Sequence, residues 1–245
     1  MSQSSVVVVT RPLERAQPLV TALHDAHLDA VLFPVLGMRQ NPAFDVHTVH
    51  APFDVLIFVS SSAVQFGSAF IELVTGGTRV VAVGETTRRA LGARNVDALC
   101  PLGESSSESV LAMPDLARIT RGHRVGLVRG VGGRDLMVRI LRERGAEVVV
   151  AEVYERFRPA PSLTPLVDAR QADKMPFVVL TSAESVANFV ALLSDDLAEW
   201  LRRCAHVLTY SQRLERHVRA AGFTGPVTVL APGDDAAVVR MVMVN

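Results

Sequence analysis

Six short turns gather hydroxyl, glycine and arginine groups where they could serve chemistry: Thr10–Pro12, Ser60–Ser62, Gly84–Thr87, Arg129–Gly133, Thr181–Ala183 and Ser211–Arg213. Each follows a short apolar run and precedes a helical pattern. Backbone N–H groups and hydroxyls at helix starts bind anions, and nearby arginines add charge. The candidate ligand contacts are Thr10, Arg11, Ser60, Ser61, Gly84, Thr86, Arg129, Gly130, Thr181, Ser182, Ser211 and Arg213, with Arg134 as a further cation. Ser and Thr at such places are also ordinary N-caps, so capping and ligand contact stand side by side for each of them. Taken together, the six turns favour a binding surface.

Other motifs carry less. Gly130-Val-Gly-Gly133 lacks the Lys-Ser/Thr of a phosphate loop and the spacing of a dinucleotide fingerprint, so a tight turn is expected there. His24 and His27 could share a face of the first helix, but no third ligand lies near, and no metal site is expected. Cys100 and Cys204 form neither a disulfide framework nor a metal pattern, so a reduced, cytoplasmic protein is the expectation. Asp234-Asp235 should start the last helix, and Glu104–Glu108 with its serines reads as a loop and cap.

Charge excludes some functions. Lys+Arg equal Asp+Glu at 25 each, which argues against electrostatic nucleic-acid binding. With two Tyr and one Trp, a base-stacking platform is not expected either. No apolar run reaches the roughly 18–20 residues a membrane helix needs, and the N-terminus lacks signal-peptide features. Any anionic ligand must therefore be held locally, by arginines and backbone N–H groups.

The elements that place these turns form an interleaved repeat. Val6–Leu36 and Arg124–Glu155 share one pattern, a strand, an Arg-containing turn, a helix and a second strand. Asp54–Phe70 and Phe177–Leu193 share another, a strand, a Ser/Thr cluster and a helix, each followed by a further strand–turn–helix. Expected strands are Val6–Val9, Val31–Phe33, Val55–Val59, Val80–Val83, Val125–Val128, Val148–Val153, Phe177–Leu180, Val207–Thr209 and Val227–Leu230. Such runs suit parallel strands buried on both faces. In helix 1, Pro12 should take position N1 and Leu13, Ala16, Val20 and Leu23 should form the buried stripe. Helix Arg134–Glu143 should bury Leu136, Ile140 and Leu141, with Gly145 stopping it. Thr181-Ser-Ala-Glu184 has capping-box spacing.

The joints Gly37–Phe53 and Arg156–Pro176 are long, irregular and contain prolines, whereas Arg121-Gly-His123 is short. That pattern makes the middle of the chain one continuous domain. The expectation is an α/β chain of two flavodoxin-like, doubly wound parallel-sheet domains joined by a two-stranded linker. The first domain is discontinuous, residues 1–36 with 160–245, and the second spans 37–159. The cleft between them is the default ligand site.

The chain resembles the uroporphyrinogen-III synthase family over nearly its whole length. The resemblance is carried by Thr10-Arg11-Pro12, Phe33-Pro34, Asp54–Val64, Val83–Thr87, Val128-Arg129-Gly130 with Gly133-Arg134-Asp135, Arg144–Ala146, Val153–Arg156 and Leu180–Ala183. It implies two flavodoxin-like domains with a two-stranded ladder. It also implies an enzyme of porphyrin, tetrapyrrole and heme biosynthesis, a lyase that cyclises hydroxymethylbilane to uroporphyrinogen III with inversion of ring D and loss of water. No cofactor is implied. Hydroxymethylbilane synthase is the implied upstream supplier, and a monomer acting without nucleic acid or membrane is expected. The resemblance further places a catalytic tyrosine at Tyr154, as hydrogen-bond donor to the departing hydroxyl; packing at a domain joint is its alternative role. One stretch departs from the family pattern: Thr209–Leu214 stands where many members repeat the Gly-x-Thr-Thr turn.

Two rival functions follow from the repeat. In a pseudo-symmetric racemase two cysteines would occupy equivalent repeat positions, which Cys100 and Cys204 do not. A non-catalytic two-lobed module binding a tetrapyrrole or another small molecule on the same fold stays open.

Overall fold

Each of the nine apolar runs expected as strands forms one, and the inner strands bury both faces between helices. The structure, a computed structural model, describes residues 4–45, 49–50 and 52–244. The first elements are β1 (Ser5–Val9), α1 (Leu13–Asp25), β2 (Asp29–Leu32) and β3 (Gly37–Gln40). Then come β4 (Val55–Phe58), α2 (Ser61–Phe66), α3 (Ser68–Glu72), β5 (Arg79–Ala82) and α4 (Glu85–Gly92). α5 (Ser107–Leu111), α6 (Pro114–Ala117), β6 (Arg124–Gly130), α7 (Leu136–Glu143) and β7 (Glu147–Phe157) follow. The chain continues with α8 (Thr164–Gln171), β8 (Met175–Val179), α9 (Ala183–Leu192) and α10 (Asp195–Cys204). It closes with β9 (His206–Thr209), α11 (Gln212–Ala220), β10 (Val227–Val229) and α12 (Asp235–Val244).

The chain divides into two compact units, Met1–Gly37 with Phe157–Asn245, and Met38–Arg156. The first holds a five-stranded sheet of order β10-β9-β8-β1-β2, parallel at each pairing. Its strand β1 is fully buried at Val7 and Val8, with Leu19 and Phe177 on one face and Phe33 and Phe189 on the other. The second holds the order β3-β7-β6-β4-β5, with β7, β6, β4 and β5 parallel. Phe58 and Val128 pack toward α2, and Ile57 and Leu127 pack toward α7. In both sheets the six turns follow the C-terminal ends of strands, the edge where open parallel sheets bind ligands.

Several local expectations need correction. Pro12 is the N-cap of α1, not N1, and the buried stripe is Ala16, Leu19 and Leu23; Leu13 is exposed. His27 lies beyond α1 in left-handed backbone, so it does not share a helical face with His24. α7 starts at Leu136 and buries Met137, Val138 and Leu141, while Leu136 and Ile140 pack half-buried against the same core. The capping box belongs to Ser182 and Ser185, because Ser182 is the last extended residue before α9. The joint Gly37–Phe53 begins with a strand, β3, and contains residues 46–48 and 51, which lie outside the described residues. The second joint contains α8, where Pro165 sits in the first turn, a place where a helix tolerates it.

His206 tests the packing of the first unit. Its ring stacks on Phe177 at 5.1 Å, and Nε2 lies 2.8 Å from Thr228 Oγ1. Burial pushes its pKa below the ordinary 6.5. The unfolded chain then binds the proton more readily, so stability falls as pH drops through about 6.5. Urea midpoints between pH 8 and 5 should show this fall, and His206→Gln should flatten it; an unchanged slope in the variant would refute it.

Candidate active site

In the second unit, the turn residues converge because β4 and β6 end beside the stretch of β7 that holds Tyr154, where α2 begins. β4 runs into Ser60, whose extended backbone ends the strand and whose Oγ accepts the Ala63 N–H at 3.0 Å, capping α2. On β7 the alternation is regular up to Val153. Val148 and Val150 pack toward α7; Val149, Ala151 and Val153 pack toward α2. Strict alternation would send Tyr154 to the α7 side. It packs on the α2 side instead, because the register of β7 on β6 shifts there: Arg129 pairs Glu152, and Gly130 pairs Tyr154. One extra residue re-aims the side chain, as β-bulges do.

Tyr154 is thereby fixed. Its ring stacks on Phe66 at 5.8 Å and its hydroxyl lies 3.1 Å from Ser60 Oγ. Gly130 lies directly beneath: a Cβ there would come within 2.6 Å of the ring. Tyr154 is 8% exposed. With Ser60, Gly130, Arg134 and Met137, it lines a cavity of about 480 Å³. Ser61, first in α2, is half-buried beside it.

Arg129 is not a free cation. Nη1 donates to Gly133 O at 3.0 Å, Arg134 O at 3.2 Å and Asp135 Oδ1 at 2.9 Å, and Nη2 to Glu152 Oε1 at 3.0 Å. It therefore holds the Gly130–Gly133 turn in shape, the turn that walls the cavity. A larger hollow of about 980 Å³ opens between α7 and β7 on the other side of Arg129. Its arginines include Arg139, paired with Glu143, and of the sequence candidates it holds only Arg129. Gly84 is the extended N-cap of α4, so close to Ser105 that a side chain would collide; Thr86 is exposed in the first turn of α4.

In the first unit, Thr10 is buried and its hydroxyl donates to Val179 O at 2.6 Å, tying β1 to β8. Arg11 is 11% exposed; Nη2 pairs Asp235 Oδ1 at 2.7 Å and also donates to the Tyr210 hydroxyl. Burial lowers the Arg11 pKa, but Asp235 and Tyr210 outweigh it and hold the guanidinium above its usual value. Burial likewise pushes the Tyr210 phenol up, against the opposing pull of Arg11. Thr10 and Arg11 thus serve the fold from within. Arg129 is likewise bonded within its own unit.

The exposed chemistry of this unit sits at two adjacent helix starts. Ser182 caps α9 and Ser211 caps α11, each accepting from the N–H three residues on. With Thr181, exposed Arg213 and His217 they line a hollow of about 190 Å³. Sequence reasoning missed Tyr210 and underread Asp235, whose bonds to Arg11 span almost the whole chain. Among the described residues, no cluster of His, Cys, Asp and Glu could hold a metal, and no helix is long and apolar enough to cross a membrane.

A family model described as uroporphyrinogen-III synthase HemD matches residues 17–236, which include almost all of these turns. The chain belongs to the uroporphyrinogen-III synthase family. The uroporphyrinogen-III synthase of Salmonella typhimurium is 30% identical over 246 residues, covering 96% of this chain and 98% of that one. The Escherichia coli protein of the same name is 29% identical over 244 residues, with the same coverage. Among solved structures, uroporphyrinogen-III synthetase from Helicobacter pylori aligns with a TM-score of 0.57 at 15% identity, over 98% of this chain and 100% of that one. A mutant synthase from Thermus thermophilus aligns at 0.56 and 17% identity, over 98% and 99%. These two likenesses support the two-domain, parallel α/β fold of the family.

Proposed function

We propose that this member of the family cyclises hydroxymethylbilane to uroporphyrinogen III, without a cofactor. The observation that carries the reading is Tyr154, held against Ser60 at the mouth of a 480 Å³ cavity by a bulge in β7. Tyr154 donates a proton to the hydroxymethyl oxygen as it leaves as water. The substituted carbon of ring D attacks the azafulvene that forms, giving a spiro intermediate. Its fragmentation and re-closure invert the ring. Left alone, hydroxymethylbilane closes to isomer I, so the protein needs only to favour one closure. About 1.4 kcal/mol of differential transition-state binding changes the isomer ratio tenfold.

The carboxylates of the substrate meet the helix starts at Ser60, Ser61, Gly84, Thr86, Thr181, Ser182 and Ser211, and the exposed Arg213. Thr10, Arg11, Arg129 and Gly130 keep these turns in place. The enzyme acts as a cytoplasmic monomer that receives its substrate from hydroxymethylbilane synthase. The test is to generate hydroxymethylbilane in situ, add the folded protein, oxidise the products and separate porphyrin isomers. Isomer III is expected. Isomer I at the uncatalysed rate would refute the enzyme reading and leave a binding module on this fold.

Arg213→Ala should raise KM about threefold to tenfold with kcat unchanged, because an exposed cation contributes equally to ground and transition states. The rise should shrink in high salt. A drop in kcat at constant KM would remove Arg213 from substrate binding.

A further inference from the structure

We propose that Ser60 is a positioning residue that aims the Tyr154 proton into the cavity through a one-way chain of hydrogen bonds. The inference rests on the reading of Tyr154 as proton donor in the cyclisation. Ser60 Oγ accepts the Ala63 N–H at 3.0 Å and lies 3.1 Å from Tyr154 Oη. A serine hydroxyl has one proton to give. Because its oxygen already accepts from a backbone amide, that proton is more strongly donated. The contact fits either polarity, and in the proposed one Ser60 donates and Tyr154 accepts on the side facing Ser60. Its own proton is left to point elsewhere, toward the cavity that both residues line. The opposite polarity would spend the Tyr154 proton on Ser60 and leave none for the departing hydroxyl.

The rest of the surroundings supports this division of labour. The bulge at β7, the stacked Phe66 ring and the close backbone of Gly130 already hold the phenol ring. The remaining freedom is the direction of the O–H bond. Ser60 sets that direction, and as the cap of α2 it is itself held in place. The sequence Ser60-Ser-Ser-Ala63 thus performs two tasks with one hydroxyl, ending a strand and orienting a proton.

A kinetic double-mutant cycle tests it, with kcat and KM read from isomer III formation. Glycine caps a helix almost as well as serine, so Ser60→Gly removes the hydroxyl while the melting midpoint changes little. It should lower kcat about tenfold with KM held within about twofold, part of what a general acid supplies. Ser60→Thr, which keeps both hydrogen bonds, should retain kcat. In a Tyr154→Phe background, Ser60→Gly should cause no further loss of kcat, because the Ser60 hydroxyl acts only through that phenol and glycine keeps the backbone N–H groups of the helix start. Independent effects would multiply instead, and that result overturns the inference. So would a Ser60→Thr enzyme as slow as Ser60→Gly, or a Tyr154→Phe enzyme as fast as the parent. A folded parent protein that yields only isomer I removes the proposed function as well. Isomer III from the parent with multiplying losses removes the Ser60 role alone.

Discussion

Gly130→Val is expected to slow isomer III formation about a hundredfold in a chain that still folds, since displacing a reacting group by 1 Å can have that effect. Gly130 pairs with Tyr154 across β6 and β7, and its missing side chain is the space the phenol occupies. A Cβ would lie 2.6 Å from the ring carbon and 3.1 Å from the hydroxyl. Ordinary carbon contacts are about 3.5–4.0 Å, so the ring tip must retreat by about 1 Å. The Phe66 ring stacked against Tyr154 restricts the retreat, and the Ser60 contact is lost. Gly130 has ordinary, negative-φ backbone, so valine at this strand end brings no backbone strain. Gly76→Ala is the control: a Cβ there meets nothing within 4 Å, and the rate should not change. Rates within twofold of the parent for Gly130→Val would show that the position of the Tyr154 ring does not matter to the reaction.

Arg11→Ala is expected to destabilise the first unit by about 2–4 kcal/mol, because truncating one partner of a buried ion pair leaves the other charge uncompensated. The guanidinium links three elements distant in sequence: the end of β1, the end of β9 through Tyr210, and the start of α12 through Asp235. Its charge also lies over the Tyr210 ring, 5.5 Å from the centroid. Asp235 keeps a quarter of its side chain exposed and sits in the first turn of α12. Both soften the loss, which is why the figure stays below the upper limit for deeply buried pairs. Asp235→Asn, which keeps a hydrogen-bond acceptor, should cost less than Arg11→Ala. Urea unfolding of the three proteins gives the comparison. A change under about 0.5 kcal/mol for Arg11→Ala, the range of ordinary surface substitutions, would mean that the pair holds nothing together.

The strands were legible because each is a run of valine, isoleucine or leucine that only a doubly covered sheet can bury. β3 was not, since Gly37-Met-Arg-Gln40 is short and half polar; it is a strand because β7 extends far enough to pair with it. α8 was hidden by the prolines around it, although Pro165 falls where a helix accepts one. The serine caps were legible as a class. Which residue caps was decided by where each strand stops, and at Ser182 that is one residue later than the spacing suggested.

The candidate site divides in the same way. Residue type and local spacing determined that hydroxyls, glycines and arginines would stand at turns after parallel strands, and the short joint Arg121–His123 between two long ones indicated which turns share a sheet. These are local properties, carried by a few neighbouring residues each. Only the tertiary structure decided that Arg11 and Arg129 spend their charge inside the protein, since Asp235, Tyr210 and Glu152 reach them from other elements. Only it decided that Tyr154 faces Ser60. Alternation along β7 points that side chain the other way, and the shift in register against β6 turns it back. Register depends on how two separate strands settle against each other, and no stretch of either strand encodes it alone.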